Sequence, residues 1–102
     1  MMNNWANYTQ SDLYFLRLAI VQARKARECG EYPFGAVLVK DTDVVSTAHD
    51  QCLVLSDPTA HAEMLLISGY CRQERVLTLN GYIVYSSTEP CILCSGAIKW
   101  SR

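Results

Sequence analysis

Two short sequence motifs carry residue types that could bind a transition metal and move a proton. The first contains His61 and, two residues later, Glu63; the second contains Cys91 and Cys94. Imidazole and thiolate are ligands that Zn²⁺ prefers, and three protein ligands leave the fourth tetrahedral position open for water, whereas a structural zinc site closes all four. His61, Cys91 and Cys94 would therefore form a catalytic zinc site.

Glu63 is close enough to His61 in the sequence to serve as a general acid/base at such a site. Bound zinc lowers the pKa of its water from about 15.7 towards about 7. A neighbouring carboxylate can accept that proton and deliver it to a substrate nitrogen. These residue types therefore predict metal-assisted hydrolysis in which Glu63 moves the proton.

Both motifs are predicted to lie at the beginning of a helix. Asp57 followed by Pro58 has the residue types of an N-cap and a first helical position, so we expect a helix that begins just upstream of His61. Residues 81–87 are rich in β-branched and aromatic side chains, as in a buried strand, and residues 88–90 are expected to open a second helix. The two cysteines, three residues apart, would share one face of it.

Each motif alone has a simpler explanation. A histidine and a glutamate two residues apart occur by chance at many helix starts, and the cysteine pair could be a redox pair or half of a structural zinc site. The ordered combination, with a strand between the motifs, favours the catalytic site. Cys52 could in principle supply a fourth ligand, but Cys29, Cys52 and Cys71 are typical of reduced thiols in an intracellular protein.

The remaining elements fit a single α/β domain over residues 1–102. A helical period over residues 9–28 predicts an amphipathic helix, with Gly30 at its C′ position. Its apolar positions are Leu13, Leu16, Ile20 and Ala23. Residues 36–39 and 44–47 are expected to form a β-hairpin. The predicted order is helix, strand, strand, helix, strand, helix.

Composition and charge exclude several other classes of protein. Half of the 102 residues are hydrophobic, and nine Lys and Arg against ten Asp and Glu give a net charge of −1, whereas a tRNA-binding domain usually has a basic surface. The cluster Arg24, Lys25 and Arg27 is explained by the preference for cations at the end of a helix. No stretch resembles a signal peptide or a membrane span, so a cytoplasmic protein with no membrane partner is expected.

Three longer segments resemble one protein superfamily. Residues 31–39 (EYPFGAVLV), 57–64 (DPTAHAEM) and 88–102 (TEPCILCSGAIKWSR) are similar to the cytidine deaminase superfamily, within it to guanine deaminases and tRNA adenosine deaminases. The superfamily's H-x-E…P-C-x-x-C signature is present. The resemblance implies a Zn²⁺ cofactor.

The resemblance also assigns roles to individual residues. It implies that His61, Cys91 and Cys94 hold the zinc and that Glu63 shuttles protons. Backbone N–H groups near Ala62 and Cys91 are expected to bind the base edge or the zinc-bound oxygen.

The fold that the resemblance implies is a three-layer α/β/α domain with a mixed sheet that starts with an N-terminal β-hairpin. A homodimer is expected as well. Relatives continue past the position of Arg102 with further strands and helices, so the chain resembles a C-terminally shortened member that lacks the C-terminal strands. That shortening puts catalytic activity in question even where zinc binds.

Three positions bear on the choice of substrate. Phe34 and Trp100 resemble guanine deaminases, since tRNA enzymes usually have a smaller aliphatic residue and a histidine there; the alternative is that both aromatics fill the core. Asp50 stands where relatives usually have an asparagine. The aspartate keeps an acceptor oxygen but lacks the amide donor. We predict hydrolysis of guanine to xanthine with release of ammonia, and Phe34, Asp50, Ala62 and Trp100 as substrate-binding residues.

Two other functions remain open. One is deamination of adenosine to inosine in tRNA, with tRNA as the less favoured partner. The other is an inactive scaffold in which zinc only supports folding or assembly.

Overall fold

The computed structural model describes residues 9–88, which form three helices and three strands. In chain order these are α1 (Gln10–Glu28), β1 (Gly35–Lys40), β2 (Asp43–His49), α2 (Cys52–Leu55), α3 (Ala62–Glu74) and β3 (Tyr82–Ser86). No helix in this part of the chain has the length and apolar character needed to cross a membrane. The helix predicted after residue 88 lies outside the described residues.

The three strands form one sheet in the order β2-β1-β3, with both pairings antiparallel. The predicted hairpin is confirmed: β1 and β2 are joined at Asp41 and Thr42, and Asp41 has a positive φ of 58°. The predicted strand over residues 81–87 is confirmed as β3. The expectation of a mixed sheet concerns strands that lie outside the described residues.

The central strand β1 is buried on both faces, and a helix covers each face. Ala36 and Leu38 pack in one cluster with Leu66 of α3, whereas Val37 lies in a second cluster with Phe15 of α1. Because successive side chains of a strand point to opposite faces, these clusters lie on the two sides of the sheet. The α/β/α layering expected from the resemblance is confirmed.

A glycine allows α1 to lie directly on the sheet. A Cβ atom at Gly35 would lie 2.4 Å from the backbone nitrogen of Ala23 and 2.5 Å from the carbonyl oxygen of Ala19. Both alanines are buried, so the helix presents small side chains to the start of β1. The close approach of two backbones therefore requires glycine at position 35.

The ends of α1 follow the prediction. Thr9 is the N-cap: its Oγ1 accepts from Asp12 N at 3.0 Å, and Asp12 Oδ2 accepts from Thr9 N at 3.0 Å, which is a capping box. Gly30, with φ of 80°, follows the C-cap Cys29. Asp12 Oδ1 also accepts from the hydroxyl of Tyr85 at 2.5 Å, which ties the start of α1 to β3.

The predicted start of α3 is wrong. His61, not Asp57, is the N-cap, and Ala62 is the first helical residue. Asp57 Oδ1 instead accepts from the backbone N–H of Thr59 at 2.8 Å and from its hydroxyl at 2.7 Å. Aspartate side chains form such local turns as readily as helix caps, so this turn precedes the helix and leaves His61 at its beginning.

Candidate metal and catalytic site

A pocket of about 450 Å³ lies where the loops around α2, the start of α3 and the end of β3 meet. Four of the sequence-predicted site residues line it, namely Phe34, Asp50, His61 and Glu63. Ala62 does not: its side chain is fully buried in the core cluster with Leu66, and the predicted role of its backbone N–H stays a prediction. Cys91, Cys94 and Trp100 lie outside the described residues.

Glu63 lies in the first turn of α3 and is almost fully buried, with 5% of its surface exposed. Its Oε2 accepts a hydrogen bond of 2.8 Å from the hydroxyl of Ser86, the last residue of β3. The N-terminal end of a helix favours negative charge, and a buried carboxylate needs hydrogen-bonding partners. Glu63 meets both conditions, since it lies in the first turn of α3 and accepts from Ser86.

His61 lies at the N-cap of α3, half-buried, and lines the pocket two residues from Glu63. The pKa of Asp57 is lowered, chiefly by its hydrogen bonds from Thr59, with a smaller contribution from the charge of His61. His61 therefore lies within electrostatic reach of a carboxylate, as well as close to the candidate general base.

The side chains in the pocket fit the two roles predicted for a zinc site, a metal ligand and a separate general base. His61 offers an imidazole, and Glu63 has one carboxylate oxygen held by a hydroxyl donor. Within residues 9–88, no group of three His, Cys, Asp or Glu side chains is arranged to hold a metal ion. A zinc site would therefore draw ligands from outside this range, where the two predicted thiolates lie in the sequence.

Asp50 is buried, with 1% of its surface exposed, and it is not a solvated turn residue. Its backbone N–H donates to the carbonyl of Phe34 at 3.0 Å. Its Oδ1 accepts from Cys52 N at 3.0 Å, and its Oδ2 faces the Cys52 thiol at 3.7 Å. Asp50 thus holds the start of α2, and its contact with a substrate stays a prediction.

Cys52 lines the pocket, and its thiol lies against the Asp50 carboxylate. Burial, followed by the hydrogen bond to Asp50 and its charge, raises the pKa of Cys52 to about 11. Thiolate, not thiol, is the metal ligand. The expectation that Cys52 is not the fourth ligand stays a prediction.

Glu31 is a buried carboxylate that the sequence did not single out for the site. With 8% of its surface exposed, it accepts from Leu53 N through Oε1 and from Val54 N through Oε2, both at 2.9 Å. Together with Asp50 on Cys52 N, the two carboxylates satisfy the first three N–H groups of α2. Because Cys52 and Leu53 line the pocket, Glu31 fixes one of its walls.

Phe34 lies at the surface of the pocket and not in the core, with 40% of its surface exposed. The alternative that it fills the core is therefore wrong. Ser86, by contrast, was missed as a site residue. The only signal was the polar pair Ser86 and Ser87 that ends an otherwise apolar strand.

Similarity to known proteins covers nearly the whole chain. Residues 9–102 match the family described as cytidine and deoxycytidylate deaminase zinc-binding region. A tRNA-specific adenosine deaminase of Aquifex aeolicus (strain VF5) is 47% identical over 89 residues, which cover 87% of this chain and 59% of that protein. A guanine deaminase of Bacillus subtilis (strain 168) is 39% identical over 89 residues, covering 86% of this chain and 57% of that protein.

The fold agrees with a solved relative. The X-ray structure of guanine deaminase from Bacillus subtilis superimposes with a TM-score of 0.82 at 36% identity, covering 99% of this chain and 60% of that one. The chain spans about three fifths of the length of the curated relatives it matches. Fold, pocket and sequence match together place this chain in the cytidine and deoxycytidylate deaminase family, in the region by which that family binds zinc.

Proposed function

We propose that this chain carries the zinc ligands and the proton-transfer residue of a deaminase that hydrolyses the exocyclic amine of a purine base. The observation that carries the proposal is the buried carboxylate of Glu63. It lines the same pocket as His61, which lies two residues earlier in the sequence. His61, Cys91 and Cys94 would hold Zn²⁺, which when bound supplies Lewis-acid activation of water near neutral pH. The family match over residues 9–102 supports this assignment.

Within this proposal each side chain has a separate task. Glu63 accepts one proton from the attacking water and gives it to the ring nitrogen; it then moves the proton of the newly added hydroxyl to the amine, which leaves as ammonia. Phe34 offers an exposed ring face against which a planar base can stack. Asp50, Trp100 and the backbone N–H of Ala62 are further candidates for binding the base.

Guanine is our first candidate substrate, because Phe34, which resembles the guanine deaminases at this position, lines the pocket. Deamination of adenosine in tRNA is the second candidate, and the comparisons favour it. A relative with 47% identity is named a tRNA-specific adenosine deaminase, whereas the guanine deaminase reported above is 39% identical. The expectation that tRNA is the less favoured partner is therefore not supported.

The deciding experiment measures ammonia release by the zinc-loaded chain from guanine, adenine, cytosine and their nucleosides, and inosine formation in a tRNA that contains the target adenosine. Glu63→Gln keeps the size of the side chain but removes the base, so we expect turnover to fall at least about 100-fold. Bound zinc should stay unchanged. Glu74→Gln, on the exposed end of the same helix, is the matched control and should keep full activity.

Three outcomes would change the proposal. Inosine formation that weakens steeply with salt, without guanine turnover, would make tRNA the substrate. Full activity of Glu63→Gln would remove Glu63 as the proton shuttle. If the chain binds zinc, loses it in His61→Ala and turns over no substrate, the remaining function would be an inactive scaffold in which zinc only supports folding or assembly. A homodimer and a cytoplasmic location are expectations that light scattering and fractionation would test.

A further inference from the structure

Ser86, the last residue of β3, is hydrogen-bonded to the first turn of α3. Its hydroxyl donates to Glu63 Oε2 at 2.8 Å across 23 positions of the sequence. The backbone around it is held by the sheet: Ser86 pairs with Ala36, and Ser87 N donates to the carbonyl of Gly35 at 2.9 Å. The donor therefore comes from a paired strand of the sheet, while the acceptor lies on α3, which packs against the same sheet.

A hydroxyl suits a carboxyl group that must gain and lose a proton. It donates to the ionised carboxylate, and it can turn to accept from the protonated acid, because it carries both a donor hydrogen and acceptor lone pairs. The contact can thus persist in both states of Glu63. A hydrogen bond to Oε2 also restricts rotation of the carboxyl plane, which directs Oε1 to a constant place.

We infer that Ser86 is a positioning residue for the proton shuttle, an inference that rests on the proposed deaminase function. It holds Glu63 through Oε2 and leaves Oε1 to exchange the proton with water and substrate. Small errors in the position of a reacting group lower the rate of the chemical step more than the binding of the substrate. Ser86 therefore acts on kcat and little on KM.

The test compares two substitutions of equal shape in the full zinc-loaded chain. Ser86→Thr keeps the hydroxyl and Ser86→Val replaces it with a methyl group, and both side chains are β-branched and suit a strand. We expect Ser86→Val to lower kcat about 10-fold or more with KM within about twofold, and Ser86→Thr to restore most of kcat. Bound zinc and the melting temperature should be alike in the two variants.

Ser87→Ala is the matched structural control. The Ser87 hydroxyl oxygen accepts from Gly35 N at 3.0 Å, so its loss weakens the same end of β3 without touching Glu63. It should lower the melting temperature and leave kcat unchanged.

A double variant tests whether Ser86 acts through Glu63. In a Glu63→Gln background, Ser86→Val should cause no further loss of kcat, since residues that act as one unit are not additive.

The outcomes separate this inference from the function on which it rests. If wild type is active and Glu63→Gln is not, but Ser86→Val keeps full kcat or Ser87→Ala loses as much, the role of Ser86 is overturned alone. If wild type releases no ammonia and forms no inosine, or if Glu63→Gln keeps full activity, the shuttle assignment and the inference fall together.

Discussion

Buried acidic side chains in this protein are each held by specific donors. Glu63 accepts from Ser86, Asp50 accepts from Cys52, and Glu31 accepts from two N–H groups of α2. In residues 9–88, no buried side-chain nitrogen or oxygen lacks a hydrogen-bonding partner. Since an unpaired buried charge is costly, the positions of these carboxylates are set by their donors.

The contact of Asp12 with Tyr85 predicts a pH-dependent contribution to stability. The Tyr85 hydroxyl, more than the bonds with Thr9, holds the pKa of Asp12 below its ordinary value of 3.8. A carboxyl group with a lowered folded-state pKa stabilises the fold above the unfolded-state pKa, and this stability is lost as pH falls through the folded-state pKa. The contribution should therefore be complete at pH 7 and disappear below the ordinary value.

Tyr85→Phe tests this by removing the donor while keeping the ring. Loss of one hydrogen bond costs about 1 kcal/mol at neutral pH, and for a domain of this size that lowers the melting temperature by roughly 4–8 °C. As the pH is lowered through the acid range, the melting temperatures of wild type and variant should converge. A difference that stays constant over that range would contradict the role of Asp12.

The short helix α2 shows how one element depends on groups distant in the sequence. Four residues are too few for a stable helix on their own, because the first turn costs more conformational entropy than its hydrogen bonds return. Glu31 and Asp50 compensate by accepting from its first N–H groups. The wall of the pocket therefore depends on carboxylates supplied by the loops before β1 and after β2.

Glu31→Gln should loosen this wall. The amide keeps one acceptor oxygen but turns an NH₂ group towards a backbone N–H, so we expect a loss of about 1–3 kcal/mol in the free energy of unfolding. Glu28→Gln, on an exposed residue at the end of α1, is the control and should change stability by less than about 0.5 kcal/mol. Equal unfolding curves in denaturant for the two variants would show that the Glu31 contacts add nothing.

At the scale of the whole molecule, the three layers meet at β1. One face of this strand packs on α1 and the other on α3, and the backbones of α1 and β1 approach closely at Gly35. The pocket lies beside this junction, since Phe34 precedes Gly35 in the chain and the end of β3 pairs alongside. Separation of α1 from the sheet would therefore disturb the site as well as the core.

Gly35→Ala should destabilise the whole domain. The added methyl group would meet backbone atoms of α1 at 2.4–2.5 Å, so the helix must shift, at a cost of about 1–3 kcal/mol or more. Gly69→Ala is the matched control, because no heavy atom lies within 4 Å of its Cβ position, and alanine stabilises a helix interior by about 0.5–1 kcal/mol. We expect the melting temperature to fall in Gly35→Ala and to rise in Gly69→Ala. An unchanged melting temperature in Gly35→Ala would contradict the close packing.

Most of the fold could be predicted because its signals are local. The helix α1, Gly30 after it, the hairpin and β3 are each contained in one stretch of sequence, and all four are confirmed. The predicted apolar face of α1 is only partly right, because Ala23 is buried but Ile20 is exposed. The start of α3 was misplaced since Asp57 has two local options, a cap and a turn, that residue type alone does not separate. His61 and Glu63 came from a motif, and their roles stay predictions.

The sequence by itself determined the order of α1, β1, β2, α3 and β3, the family and the residue types that can bind zinc and transfer a proton, but it missed the short helix α2. Only the tertiary structure decided that Ser86 holds Glu63 and that Glu31 holds the start of α2. Each of these hydrogen bonds joins residues that are 22 or 23 positions apart in the sequence. Such pairs leave no periodic or local pattern, because they depend on how the α3 helix and the loops are placed against the sheet. The tertiary structure likewise decided that Phe34 faces a pocket, since burial is set by neighbours that are remote in the chain.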